Sequence, residues 1–207
     1  AVTGRLSAED PNVQNFPKRK FSEIRGVIYA WPGHTFLACD YGQIEARVIG
    51  MASEDVNLVK YLWTGYDIHG YWADRVLKEY PGYSDYLIRE FSLNGDDSKA
   101  IRKTARQEAK NKWVFPQFFG SSHKSCARDL NIPVNIAEDL AKEFWDEFKG
   151  VKRWQDKLIQ NYEKKLYVET LTGRRRRRAM TKNELINMPI QGTAADIVTA
   201  AMNALSE

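Results

Sequence analysis

Two groups of residues in this sequence have the types and spacing to do chemistry. The first is Asp40 with Glu45, in the stretch Thr35-Phe36-Leu37-Ala38-Cys39-Asp40-Tyr41-Gly42-Gln43-Ile44-Glu45-Ala46-Arg47. A carboxylate at the end of an apolar run leaves a core where the chain meets solvent, and Glu45 is close enough to share a site with it. Asp40 could equally do no more than cap the helix that follows. The second group is Arg106 with Lys110, four apart and so on one face of a helix, followed by Phe115, Phe118, Phe119 and Gly120. Arginine grips phosphate oxygens bidentately and lysine supplies a compact charge or a proton, so this is a surface for phosphates beside one for flat rings. An exposed amphipathic helix with an apolar end would have the same residues.

The elements that must position these groups follow from pattern and punctuation. Turn formers in residues 1–20 (Thr3-Gly4-Arg5, Asp10-Pro11-Asn12, Asn15-Phe16-Pro17) predict an extended, loop-like approach. Ile24 to Tyr29 reads as a short strand, and the run from Thr35 to Tyr41 as a buried one ending at Asp40. A helix is predicted from Gln43 to about Ala52, another from Asp55 to Thr64, and a third opening at Asp67 as N-cap and ending before Pro81-Gly82. Residues 80–98, with Gly82 and Asn94-Gly95-Asp96-Asp97-Ser98, read as a mostly surface insertion, after which Ser98 opens a basic helix through Lys112. Asn135 with Glu138 marks a further helix start, with Ile136, Leu140, Phe144, Trp145 and Phe148 on its apolar face. Val151, Trp154, Leu158 and Tyr162 mark the next helix; Val168 to Leu171 reads as a strand before a Thr172-Gly173 turn, and the last helix runs from about Gln191 to Leu205.

The totals bound the class. The chain has 207 residues, 43% apolar and 28% charged, which is ordinary for a globular protein able to bury a core. No apolar run is long enough to span a membrane, the amino terminus lacks a signal-peptide pattern, and two cysteines do not make a disulfide framework. An intracellular, cytoplasmic setting is expected. The net charge is only +4, but it is concentrated: six basic residues against one acidic between Lys99 and Lys112, and five consecutive arginines from Arg174 to Arg178. Such clusters point to a polyanionic partner, or to solvated faces.

A set of motifs in fixed order resembles the family A, bacterial DNA polymerase I-like, DNA polymerases over nearly the whole chain. Thr3-Gly4-Arg5-Leu6-Ser7 with Pro11-Asn12-Val13-Gln14-Asn15-Phe16-Pro17 resembles the family's primer-side approach to the palm. Asp40 to Arg47 is similar to its motif A; Asp67-Ile68-His69, Arg106 to Gly120, and Asn187-Met188-Pro189-Ile190-Gln191-Gly192-Thr193-Ala194-Ala195-Asp196 resemble its later signatures.

The resemblance implies an α+β fold, with a partial antiparallel palm sheet and a mainly helical fingers subdomain. Residues 1–66 would be the first part of the palm, 67–185 the fingers and 186–207 a return to the palm. It implies template-directed transfer of a nucleotide from dNTP to a DNA primer, with Asp40 a ligand of two magnesium ions and Arg106, Lys110 and His69 on the triphosphate. Lys110 would also protonate the leaving pyrophosphate. Glu45 would exclude ribose, Gln43 and Phe115 would face the nucleotide, and Phe119, where the family usually has tyrosine, would stack near the templating base. Arg5, Asn12, Gln14, Asn187, Gln191 and Arg174 would contact primer-template DNA. A related single-subunit RNA polymerase shares the palm, but Glu45 within Asp-Tyr-Gly-Gln-Ile-Glu argues against it.

Three departures shape further expectations. Lys110 and Phe115 are five apart where the family has four, and Pro116 follows directly, so a π-bulge or kink is predicted between Lys110 and Pro116. His69 and Arg106 are separated by more chain than usual. The family's second catalytic aspartate, in a His-Asp-Glu motif, is not among the 207 residues. A complementary polymerase segment carrying it is therefore an expected partner. Alone, the chain is expected to be inactive or nearly so, or else a DNA- and nucleotide-binding piece without turnover.

Overall fold

The computed structural model of the chain describes residues 3–17 and 22–205. Its helices are α1 (Ile44–Ser53), α2 (Val56–Thr64), α3 (Ile68–Glu79), α4 (Gly82–Phe91), α5 (Ser98–Ala109), α6 (Phe115–Phe118), α7 (His123–Leu130), α8 (Val134–Glu147), α9 (Lys149–Lys165) and α10 (Lys182–Leu205). A π-helical turn, Lys110–Val114, joins α5 to α6. Strands β1 (Val168–Glu169) and β2 (Arg175–Arg176) pair antiparallel, with Val168 opposite Arg176. The α+β class with a small antiparallel sheet and a mainly helical body is as expected. Among the described residues no helix is long and apolar enough to cross a membrane.

Local chemistry starts and stops these helices. Asp55, Asp67, Asp97 and Ser122 each accept a hydrogen bond from the backbone N–H three residues on, at the heads of α2, α3, α5 and α7. Gly65 ends α2 in the left-handed conformation, the turn that glycine adopts without a Cβ penalty. The core that fixes α3, the π turn and α6 relative to one another is aromatic. Trp72 of α3, Trp113 of the π turn, Phe118 of α6 and Phe144 and Phe148 around the end of α8 are each 1% exposed or less. Phe144 stands 5.1 Å from both Trp72 and Phe118, and 4.9 Å from Phe148, ring centre to ring centre. Each such pair is worth about 0.5–1.5 kcal/mol beyond the area it buries.

Several expectations are corrected. Ile24 to Tyr29 is not a strand: Ser22–Val27 is a 3-10 helix, exposed over residues 23–27. Thr35 to Tyr41 forms no strand and is exposed, with Phe36 at 66% and Leu37 at 83%. A strand needs a neighbour for its N–H and C=O groups, and none of the described residues supplies one. The run of turn formers is loop-like where described, with one 3-10 turn at Val13–Asn15; residues 1–2 and 18–20 lie outside the described residues.

The supposed surface insertion at 80–98 holds α4, which buries Tyr83 and Leu87 four residues apart. Gly82 is its first residue rather than a breaker. α8 starts at Val134, with Pro133 rather than Asn135 as its cap. α10 starts at Lys182, nine residues before Gln191, behind a Thr181–Glu184 capping box in which each residue's side chain accepts the other's N–H (3.3 and 2.9 Å). The strand foreseen at 168–171 is only Val168–Glu169, and its partner inside the arginine run was not foreseen.

Candidate functional site

The π turn does what the five-residue spacing requires. The N–H of Phe115 donates to the carbonyl of Lys110, and Pro116, which has no N–H to give, follows within α6. The surplus residue is absorbed in the wide turn, and Lys110 stays on the face of Phe115 with its Nζ 5.6 Å from the ring centre. Phe115 and Phe119 stack 6.0 Å apart at 21°. Glu108 and Lys112, on another face, pair with each other and leave Arg106 and Lys110 to the site.

His69 comes to the same place from α3, its ring 5.4 Å from that of Phe115. Its Nδ1 is buried without a hydrogen-bond partner among the described residues. Burial, followed by the charges of Arg106 and Lys110, pushes its pKa down to about 4, so the imidazole is neutral at physiological pH. Arg106 donates from Nε to both oxygens of Asp67, at 3.0 and 2.8 Å. That hydrogen bond holds the Asp67 carboxyl below the usual carboxylate range and raises the arginine's own pKa. The result is one face with two cations, a neutral imidazole and two stacked phenyl rings.

A second grouping lies at the start of α1 and along α10. A cleft of about 240 Å³ is lined by Arg5, Leu6, Glu45, Gln191 and Ala195 among others. Gln43 takes the N-cap position of α1 in the left-handed conformation with no side-chain cap bond, so Asp40 does not cap this helix. Asp40 is exposed and makes no hydrogen bond or ion pair with the described residues. Gln14 shares a shallow concavity with Arg5, Phe16 and Phe36, and its amide donates to the Leu6 carbonyl at 3.3 Å. Asn12 is exposed at the head of the 3-10 turn. Asn187 keeps a buried Oδ1 without a hydrogen-bond partner among the described residues.

Arg174 is engaged within the chain. Its Nε donates to Asp196 at 3.1 Å, and its Nη2 to the carbonyls of Thr3 (2.8 Å) and Gly192 (3.1 Å). A side chain on Gly192 would collide with Thr170 and Arg174, so glycine is required there. Arg175, Arg176 and Arg178 pair with Glu169 and Glu184, while Arg175 and Arg177 lie over the Tyr167 ring. The arginine run is thus largely internal glue. Among the described residues no three His, Cys, Asp or Glu side chains converge as a metal cage.

The structure therefore gathers Arg106, Lys110, His69, Phe115 and Phe119 into one group and Arg5, Glu45 and Gln191 into another, and leaves Asp40 apart. Sequence reasoning missed the grip of Asp67 on Arg106, 39 residues away. It also missed Asp196, although that residue closes the glutamine-bearing motif.

Residues 1–207 match the model of DNA polymerase family A, and the chain belongs to that family. It is 38% identical to DNA polymerase I of Chloroflexus aurantiacus over 98% of the chain and 21% of that protein. It is 34% identical to the thermostable DNA polymerase I of Thermus thermophilus, over 97% of the chain and 24% of that protein. The chain thus spans about a fifth to a quarter of the length of these curated relatives. A solved structure, the POL domain of Pol1 from M. smegmatis in complex with DNA primer-template and dNTP, superposes with a TM-score of 0.72 at 29% identity, covering 98% of this chain and 35% of that one.

Proposed function

We propose that this chain is the palm-and-fingers part of a template-directed DNA polymerase, with the incoming dNTP held on the α3–α5 face and the primer-template along Arg5, Asn12, Gln14, Asn187 and Gln191. The observation that carries this reading is the π turn. It keeps Lys110 beside Phe115 despite the extra residue, so that phosphate-binding cations and a ring for sugar and base remain on one face. In this reading residues 1–66 and 186–207 belong to the palm and 67–185 to the fingers.

Arg106 and Lys110 bind the triphosphate, joined by His69, whose neutral ring offers a hydrogen bond rather than a charge. The primer 3′ hydroxyl gives up its proton to solvent and its oxygen bonds to the α-phosphorus as the bond from that phosphorus to the oxygen bridging to the β-phosphate breaks, and Lys110 gives its proton to the departing pyrophosphate. Glu45, in the first turn of α1 and in the cleft with Gln191, crowds the 2′ position of the sugar, and Gln43 lies beside it. Phe119 stacks near the templating base. Arg174 reaches DNA only through the loop that its own contacts hold in place.

Magnesium, when bound, would supply positive charge to the phosphates in transfer. Such ions are usually held by one or two carboxylates together with substrate phosphates, and Asp40 fits as one exposed oxygen donor. A second reading for the isolated chain keeps the cations of the α3–α5 face and has it bind DNA and nucleotide without turnover. A complementary segment bearing a second catalytic aspartate would then be its partner.

Primer extension decides between these readings. We expect no extension by the 207 residues alone, and extension when a segment with the second aspartate is supplied. In that completed enzyme Lys110→Ala should abolish most of the activity, and Glu45→Ala should admit ribonucleotides. Robust extension by the chain alone would contradict the need for a partner, and failure of the completed enzyme to extend would contradict the polymerase reading.

A further inference from the structure

Two arginines one helical turn apart on α5 face two aspartates of the α3 region, and they are used differently. Arg102 commits its fork to Asp74: Nε donates to one oxygen and Nη2 to the other, both at 2.8 Å. Arg106 meets Asp67 through Nε alone, which is shared between the two carboxylate oxygens. The first arrangement closes a side-on pair. The second anchors the guanidinium by its inner nitrogen and leaves the Nη1–Nη2 edge outside the pair, which is the edge that takes a phosphate bidentately.

Asp67 has a second task at the same point. Its Oδ1 accepts from the N–H of Gly70 at 3.1 Å and closes the first turn of α3, the turn that carries His69. Gly70 makes this approach possible, because a Cβ there would lie 2.9 Å from the Asp67 carboxyl carbon and nearer still to Oδ2. One carboxylate thus fixes the helix that presents His69 and the arginine that stands beside it. An arginine whose side chain is 42% exposed would otherwise sample many rotamers, and it would lose that freedom on meeting a ligand.

Resting on the polymerase reading, we propose that Asp67 is a positioning residue for the nucleotide triphosphate: it holds Arg106 by Nε so that the free edge of the guanidinium meets phosphate together with Lys110 and His69. The lowered pKa of Asp67 and the raised pKa of Arg106 accord with a persistent pair. A latch, in which Asp67 occupies Arg106 and must be displaced by the nucleotide, predicts the opposite sign, with tighter nucleotide binding once the carboxylate is removed.

The test separates positioning from capping. Asp67→Ser keeps a side-chain oxygen for the α3 cap but is too short to hold Arg106, while Asp74→Ser removes the neighbouring pair as a control for lost α3–α5 contacts. The 207-residue chain and its variants are titrated with dATP and with inorganic tripolyphosphate, with melting temperature measured alongside. We expect Asp67→Ser to weaken binding of both ligands by about three- to tenfold, the loss expected from freeing one long side chain. Asp74→Ser should leave affinity unchanged, and Asp67→Ser combined with Arg106→Ala should be no weaker than Arg106→Ala alone. In the completed enzyme the Asp67→Ser effect should fall on the KM for dNTP more than on kcat.

Unchanged or tighter binding by Asp67→Ser, where Arg106→Ala still weakens it, overturns the positioning role and leaves the polymerase reading intact. If the wild-type chain binds neither ligand, that reading fails and this proposal fails with it.

Discussion

The carbonyl of Lys110 takes its hydrogen bond from the N–H of Phe115, five residues on rather than four. Asn111 is exposed inside this wide turn. Deleting Asn111 removes the surplus residue and lets the helix close with four-residue bonds, with the lysine and the phenylalanine still on one face. The deletion should change Tm by no more than about 2–4 °C, the shift that ~1 kcal/mol produces in a chain of this size, and should preserve nucleotide affinity. Deleting both Gln107 and Glu108 instead leaves Arg106 two residues before Lys110, about 200° round the helix and on the opposite face, and should destroy that affinity. Equal damage from the two deletions would show that the turn is not a device for register.

Gln155 ties α9 to the end of α6. It is 2% exposed, and its Nε2 donates to the carbonyls of Phe118 (2.9 Å) and Gln117 (3.3 Å), just before the chain turns at Gly120. Gln155→Leu keeps the volume but takes its donor from the Phe118 carbonyl, whereas the Gln117 carbonyl keeps the N–H of Gly120 at 3.1 Å. The expected cost is about 1–3 kcal/mol, read from urea denaturation. A leucine variant as stable as the wild type would mean that the Phe118 carbonyl finds another partner.

What the sequence disclosed, and what it hid, divides along the range of the interactions. Asp67 signals a helix start because an N-cap acts over three residues, and the five-residue Lys110–Phe115 spacing, set against the family's four and followed by Pro116, foretold a π-bulge or kink. The arginine–lysine face was legible because a helix repeats every 3.6 residues. The Thr181–Glu184 box was equally local, yet Pro189 obscured the helix behind it. Pro189 is buried inside α10, and its carbonyl accepts from the Thr193 hydroxyl at 2.7 Å. Tertiary pairs could not be read at all: nothing near Arg106 or Arg174 names Asp67 or Asp196 as the partner. The run at Thr35–Tyr41 has a buried strand's composition, but burial depends on a neighbour that composition cannot guarantee.

His69 provides a pH signature. Its folded pKa of about 4 lies below the ordinary value of 6.5, chiefly through burial and then through Arg106 and Lys110. Between those values the unfolded chain binds a proton that the folded chain does not. The contribution of His69 to stability is therefore fully present above pH 6.5 and is lost as pH falls toward 4. NMR of the imidazole should show a midpoint near 4, and His69→Gln should flatten this part of the stability curve. A midpoint at or above 6.5 would contradict the desolvated setting.

Asp55 caps two helices at once, and Gly150 is what allows it. One oxygen of the Asp55 carboxylate accepts from Leu58 N–H at 2.9 Å at the head of α2, and the other accepts from the N–H groups of Gly150 (2.7 Å) and Val151 (3.2 Å) in the first turn of α9. Asp55 is only 4% exposed. A Cβ on Gly150 would lie 2.8 Å from the Asp55 Cα, and backbone cannot move aside as a flexible side chain can. Gly150→Ala should therefore separate the two helices. Asp55→Ala should cost more than a surface cap, about 2–4 kcal/mol, because the lost cap adds to buried N–H groups left without an acceptor. Asp55→Asn, which retains an acceptor for α2, should fall between Asp55→Ala and the wild type. Chemical denaturation of the three variants measures this order, and a Gly150→Ala protein of wild-type stability would mean that α2 and α9 can separate at no cost.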